Sequence, residues 1–259
     1  MKGYIMDKDG VSTPLPEFLS WDVCHGMGEP CDWFEVSFIY YSAQLPKLQT
    51  ACAFRATHNS AVVFSGVVDE YSISIDEKGS VVTLSGRSKA ALLLDNELPA
   101  QEYAALSSAG AVSGFVSPYG ISGVVTGSGV TLNGFSVRTG ESAWSALKRF
   151  CRYAWETTPF FSRDGTLILN GRSGNTISVD ASKDASSIAM CDERYGIISD
   201  ISVRNRVTGA SYTSSNAAFI ARGGKCHREM TVPKTTGADA VRYTAAYQIA
   251  ESQRGKICV

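Results

Sequence analysis

Long apolar runs are missing from this 259-residue chain. Nowhere do about 18 consecutive apolar residues occur, so no segment reads as a transmembrane helix. The start, MKGYIMDKDG, carries acids where a secretory leader needs its apolar core, which argues against export by that route. An excess of one charge is missing as well. The 24 Lys and Arg stand against 25 Asp and Glu, for a net charge of −1 and a pI near 6.3. So balanced a chain lacks the basic footprint that grips nucleic acid or an anionic membrane. Histidine is scarce, with 3 in all, and the 7 cysteines (24, 31, 52, 151, 191, 226, 258) include no Cys-x-x-Cys pair. Their odd number and irregular spacing, in a chain long enough to need no staples, read as reduced thiols packed as small apolar side chains.

What is present points to strands. The 24 Gly, with abundant Ser and Thr, favour a turn-rich β class, and 44% hydrophobic content suffices for a globular core. Residues 1–150 hold 10 basic and 15 acidic groups (−5), whereas residues 151–259 hold 14 and 10 (+4). Parts of opposite sign are suited to meet, within a chain or between subunits.

In WFEVSFIY, Phe34, Val36, Phe38 and Tyr40 share one face and Glu35 and Ser37 the other. ACAFRAT and AVVFSGVVD follow, with Gly66 mid-strand, where a bulge or barrel bend is expected. Tyr71, Ile73 and Ile75 alternate with Ser72 and Ser74, Asp76-Glu77-Lys78-Gly79 makes a turn, and Val82 and Leu84 return. In VVTLSGRSKAALLLDNE the strand breaks at Gly86, Ser88 is placed to cap a short helix, and Asp95-Asn96 end it. Arg87, Asp95 and Glu97 there form either a reactive constellation or a strand-to-helix hinge with a structural ion pair, and the hinge accounts for more of the residues.

Residues 98–136 read as short strands and loops rich in Gly and Ser. ESAWSALKRFCRYAW is a helix with Trp144, Leu147, Cys151, Ala154 and Trp155 on one face. A hairpin follows, Phe160-Phe161 returning through Arg163-Asp164-Gly165 to Thr166–Leu169. Beyond Cys191, IISDISVRNRV, ASYTSS, FIARGG and REMTVP read as strands. A helix is expected from about Ala238 to Gln253, and KICV begins a strand. The expected fold is a β-rich α+β arrangement: a first β-barrel with a short closing helix over 1–97, a peripheral α/β unit over 98–185, and a second β-barrel over 186–259 whose completeness is open.

Candidate chemistry is thin. Cys24-His25 and Cys226-His227 are adjacent pairs, and strand neighbours point to opposite faces, so neither pair works alone as nucleophile and base; His58 has no Cys beside it. Cys24, Cys31 and Cys226 with a His could supply metal ligands but lack metal-site spacing. Asp69-Glu70, Asp76-Glu77, Asp192-Glu193 and Asp164 fall at strand ends or turns, where solvated acids are the default, and Gly127-Ser128-Gly129 lacks the Lys of a phosphate cradle. Trp21, Trp33, Trp144 and Trp155 could form a sugar platform, although the two helix tryptophans lie on an apolar stripe. The expectation is no enzyme, no cofactor, no metal and no catalytic residue.

Two stretches taken together, FSGVVDEYSISIDEKGSVVTLSGRSKAALLLDNE and TGESAWSALKRFCRYAWETTPFFSRDGTLIL, resemble the baseplate hub proteins of contractile phage tails, of the kind found in phage Mu and in tail-like bacteriocins. The final helix, with its spaced Ala, also resembles that family. The resemblance covers about 30–97 and 138–259. It implies a homotrimer in which each chain supplies two tail-tube-like barrels, matching a six-fold tube to a three-fold spike. Implied partners are the tube or tube-adaptor protein, the spike protein and, as a further candidate, the tape measure protein. The implied location is the baseplate of a virion tail or contractile injection system, assembled in the host cytoplasm, with DNA passing through the channel without sequence-specific binding. The alternatives are a carbohydrate- or receptor-binding β module of a tail tip and a hub with an associated cell-wall hydrolase.

Overall fold

The computed structural model describes residues 1–26, 31–77, 79–171, 178, 191–232, 238–254 and 257–258. Strand outweighs helix, 42% to 26%, so the β-rich α+β class holds.

The N-terminal part is one antiparallel sheet. Its strands are β1 (Lys2–Met6), β2 (Ser12–Pro14), β3 (Phe18–Cys24), β4 (Trp33–Ile39), β5 (Ala53–His58), β6 (Ala61–Asp76) and β7 (Gly79–Ser88), with α1 (Leu45–Thr50) between β4 and β5. They lie in the order β2-β1-β5-β6-β7-β4-β3. The alternation in WFEVSFIY works as expected: Phe34, Val36 and Phe38 are fully buried. They pack with Phe54, Phe64, Val82 and Leu84, and Phe34 stacks on Phe54 at 3.9 Å. The hairpin at 76–79 is also present, the Asp76 carboxylate accepting from the Gly79 N–H; Lys78 lies outside the described residues.

The backbone does not close this sheet into the expected barrel. Among the described residues no pairing joins β3 to β1 or β2. One edge is β2, three residues ending in Pro14, which cannot donate to a further strand. Side chains reach across instead. The Phe18 ring lies over Gly3, where an added Cβ would sit 2.2 Å from it, and His25 Nε2 lies 3.0 Å from the Val63 carbonyl oxygen.

Strand β6 is a single 16-residue strand rather than two, with an irregularity between Val68 and Glu70. It crosses β7 so tightly that a Cβ on Gly66 would lie 2.1 Å from the Arg87 carbonyl oxygen. Gly86 is likewise within β7, and Ser88 is its last residue, paired with Gly66. Ser88 therefore does not cap the helix that follows, α2 (Ala90–Leu94), whose N-cap position is Lys89. The ladder holds Ser88 as strand, and its N–H donates to the Asp32 carbonyl.

The region 98–136 is more regular than its composition suggests. β8 (Gln101–Ser107) pairs with β10 (Thr131–Val137), and the helix α3 (Ser108–Phe115) lies between them in sequence, ahead of the short β9 (Gly123–Val124). Ser107 Oγ caps α3 by accepting from the Gly110 N–H, and Ala111 and Phe115, four apart, are buried. Tertiary burial and a cap override two glycines here. α4 (Ala143–Trp155) is capped by Ser142. It buries Trp144, Leu147, Cys151 and Ala154 of the expected face, leaves Trp155 half-buried, and also buries Ala146, Phe150 and Tyr153, because neighbours surround it. β11 (Phe160–Phe161) and β12 (Leu167–Ile168) form the expected hairpin, and β12 pairs in parallel with β9.

In the C-terminal part β13 (Cys191–Asp192), β14 (Asp200–Asn205), β15 (Ser211–Ser215) and α5 (Ala217–Ala221) come first. β16 (His227–Val232), α6 (Ala238–Gln253) and β17 (Ile257–Cys258) complete it. Residues of FIARGG, expected as strand, belong to α5 and its turn: Asn216 Oδ1 accepts from the Phe219 N–H and starts a helical turn instead. β15-β14-β16 is a three-stranded sheet, parallel between β14 and β16, and among the described residues it is open rather than a second barrel. Val241, Ala245 and Ile249 of α6 are buried as their spacing predicted. One apolar core runs from Ala90 to Ile249, so the helix–hairpin unit and the C-terminal unit share it; the first sheet has its own.

Candidate functional site

The stretch that raised a choice between chemistry and hinge sits where the two cores meet. The irregularity in β6 presents Asp69 outward, the end of β7 presents Arg87, and Asp95 follows the last residue of α2. Arg87 Nε and Nη2 donate to the two Asp69 carboxylate oxygens at 2.7 and 3.0 Å. Its Nη1 and Nη2 donate to those of Asp95 at 3.2 and 2.8 Å. A planar guanidinium bound twice over in this way is a positioning device. The Arg87 hydrogen bond holds the Asp95 carboxyl below the usual range. Glu97 stands apart, bridged to Ser142 at the start of α4. Arg87 thus clasps a strand of the first core to the helix that opens the second. The nearby Cys31 thiol is pushed up to about 11 by burial, with Arg87 opposing, so it is protonated at neutral pH and a poor nucleophile.

The other candidates are dispersed. His25 lies 2.9 Å from Asp32 through Nδ1 and bonds Val63 through Nε2. His227 sits between the carboxylates of Asp200 and Glu229. Neither ring nitrogen of either histidine is left to activate its neighbouring cysteine. Among the described residues no three His, Cys, Asp or Glu side chains gather as metal ligands. Asp164 is spent on its own hairpin, where the Ser162 hydroxyl and the Thr166 N–H lower its pKa. Asp192 pairs with Arg222, and Gly129 abuts Ser108 beside α3. Trp144 is buried and stacks on Phe161. Trp21 pairs across the sheet with Val36 and Trp33 with Cys24, so the two exposed tryptophans of the first sheet point to opposite faces and form no common platform.

Three features gave no strong sequence signal. The nearly buried pair Arg149–Glu141, at 2.7 Å, joins the entrance of α4 to its own middle. Its eight-residue spacing matches no helical pairing rule, because Glu141 precedes the helix. Asp22 and Glu35 lie directly opposite on β3 and β4, two acids side by side; like charges so placed destabilise a sheet. The third is the outer edge of β3, bare among the described residues and visible only once the strand order is known.

No family model matches the chain, and no curated protein sequence matches it. Solved structures do. A tail protein from Neisseria meningitidis MC58 superimposes with a TM-score of 0.75 at 15% identity, over 98% of this chain and 77% of that one. The 43 kDa tail protein of prophage MuSo2 from Shewanella oneidensis gives 0.75 at 15% identity, over 99% and 80%. The prophage tail protein gp18 from Listeria monocytogenes EGD-e gives 0.57 at 10% identity, over 94% and 76%. The chain therefore shares the fold of phage tail proteins along nearly its whole length.

Proposed function

We propose that the protein is a non-enzymatic structural component of a phage tail or tail-like particle, acting as the baseplate hub between tube and spike. The observation that carries this reading is the tail-protein fold spanning 98–99% of the chain. Both cysteine-adjacent histidines are engaged elsewhere, His25 with Asp32 and Val63 and His227 with Asp200 and Glu229. In this role the curled first sheet and the three-stranded C-terminal sheet act as two tube-type barrel units completed in assembly, with the 98–185 unit on the periphery. Three copies would alternate the two units around a channel, matching a six-fold tube above to a three-fold spike below. The acidic first part and the basic remainder suit such a head-to-tail ring. Partners are further copies of the chain, the tube or tube-adaptor protein and the spike protein, with a tape-measure terminus as a further candidate.

The test is co-assembly. The protein mixed with the tube and spike proteins of its own particle should give one complex with three copies of this chain, scored by light scattering and negative-stain microscopy. Failure to bind either partner would overturn the hub assignment.

A further inference from the structure

The first sheet ends in two unlike edges. β2 is short and ends in Pro14, the usual protection of an edge. β3 has seven residues, no proline between Phe18 and Cys24 and, among the described residues, no strand on its outer side. It exposes Leu19 and Trp21 at 58% and 59%. Trp21 shares the core-facing side with Val36, so the core row ends in an uncovered aromatic ring. β3 also carries Asp22 against Glu35, and among the described residues neither acid has a cation partner.

The C-terminal sheet ends in a complementary edge. Among the described residues β16 is paired on one side only, and α6 packs on β14 and β15. Lys225 and Arg228 at this edge are exposed and, among the described residues, have no acid partner. β15, the other edge of that sheet, is Ser-Tyr-Thr-Ser-Ser and carries no charge.

We infer that β3 of one copy accepts β16 of a second copy as an added antiparallel strand, with Asp22 opposite Arg228. This rests on the ring-forming reading above. The pairing satisfies the bare backbone groups of both edges, places a guanidinium beside the Asp22–Glu35 pair, and sets Trp21 opposite Glu229, the acid that bonds His227. It is heterologous, so it leads from copy to copy, as the proposed ring requires. The register has a consequence independent of charge. With Asp22 opposite Arg228, Ser20 meets Met230 and Cys24 meets Cys226. Both thiols are half-buried in the single chain and reachable. Directly opposed residues on antiparallel strands lie about 4.5–5.5 Å apart at Cα, within the span a disulfide accepts.

The experiment is mild oxidation of the purified full chain, with labelled and unlabelled copies mixed. A Cys24–Cys226 link between chains is expected by peptide mass spectrometry, lost in Cys24→Ser and in Cys226→Ser. In parallel, Asp22→Arg and Arg228→Asp should each weaken self-association by about tenfold or more, and the double reversal should restore it. An oligomer of unchanged mass that gives no such link and ignores the charge reversals overturns the edge pairing while ring assembly stands. A chain that stays monomeric with the tube and spike proteins also present overturns both.

Discussion

An added Cβ on Gly86 would lie 2.0 Å from the carbonyl oxygen of Val67 and 2.8 Å from the Phe34 ring. Backbone meets backbone at this crossing of β6 and β7, and neither neighbour can give way as a flexible side-chain end would. Gly86→Val should therefore cost roughly 3 kcal/mol or more. Arg87→Ala should cost less, about 1 kcal/mol, because Arg87 is 37% exposed and Asp95 55%, and water screens the clasp. Melting temperatures of the two variants decide the order. A larger loss for Arg87→Ala would mean that the clasp, and not the close approach, holds the junction.

The Arg149–Glu141 pair behaves differently because its side chains are only 12% and 13% exposed. Arg149 also donates to the Ser136 carbonyl at 2.6 Å and lies over the Phe135 ring. Arg149→Met should destabilise by about 3–5 kcal/mol by stranding the Glu141 charge. Adding Glu141→Gln should recover a good part of that loss. Denaturant unfolding of the two single variants and the double variant gives the coupling, and strictly additive losses would count against a coupled pair.

His227 and Asp200 give the C-terminal sheet a pH dependence of known sign. Hydrogen bonds to Asp200 and then Glu229 raise the His227 pKa above its ordinary 6.5. Its contribution is thus complete below about 6.5 and is lost as pH rises through the raised value. The His227 hydrogen bond lowers the Asp200 pKa below 3.8, so that contribution is present above 3.8 and lost as pH falls through the lowered value. Melting temperature between pH 6 and 9 should decline in wild type more than in His227→Gln. Equal slopes would show that the contact does not titrate with folding.

All seven cysteines should react as free thiols when protein handled under reducing conditions is denatured. A chelator should leave the melting temperature unchanged. Stoichiometric zinc by elemental analysis would contradict both the thiol reading and the dispersed placement of Cys24, Cys31 and Cys226.

Salt should slow assembly more than it shortens the lifetime of the assembled ring, since charge acts mainly on encounter and apolar surface on retention. Screening over ~10 Å near 0.1 M salt sets the range to scan. Subunit exchange between labelled rings across ionic strength measures both rates. An association rate that ignores salt removes the electrostatic component.

What could be read from the sequence was what local pattern decides. The alternation of Phe34, Val36 and Phe38, the turn at 76–79, and the four-residue spacing of Val241, Ala245 and Ile249 all stand in the structure. Failures came where a tertiary partner decides. Ser88 is strand because the ladder with Gly66 holds it, and α3 forms despite its glycines because Ala111 and Phe115 are buried. FIARGG turned helical through a cap from Asn216. Arg87 was legible as half of an ion pair, but its second carboxylate, Asp69, is 18 residues away and placed by an irregularity that no periodicity announces. The edges of β3 and β16, open among the described residues, could not be seen at all, since an edge is a property of strand order.

The most direct test of the assembled-hub account is the native mass of the purified 27.7 kDa chain over a wide concentration range, with the symmetry of the particle imaged by negative stain. The account predicts a species of three chains with three-fold views. A single-chain mass throughout, with tube and spike partners also present, would contradict it.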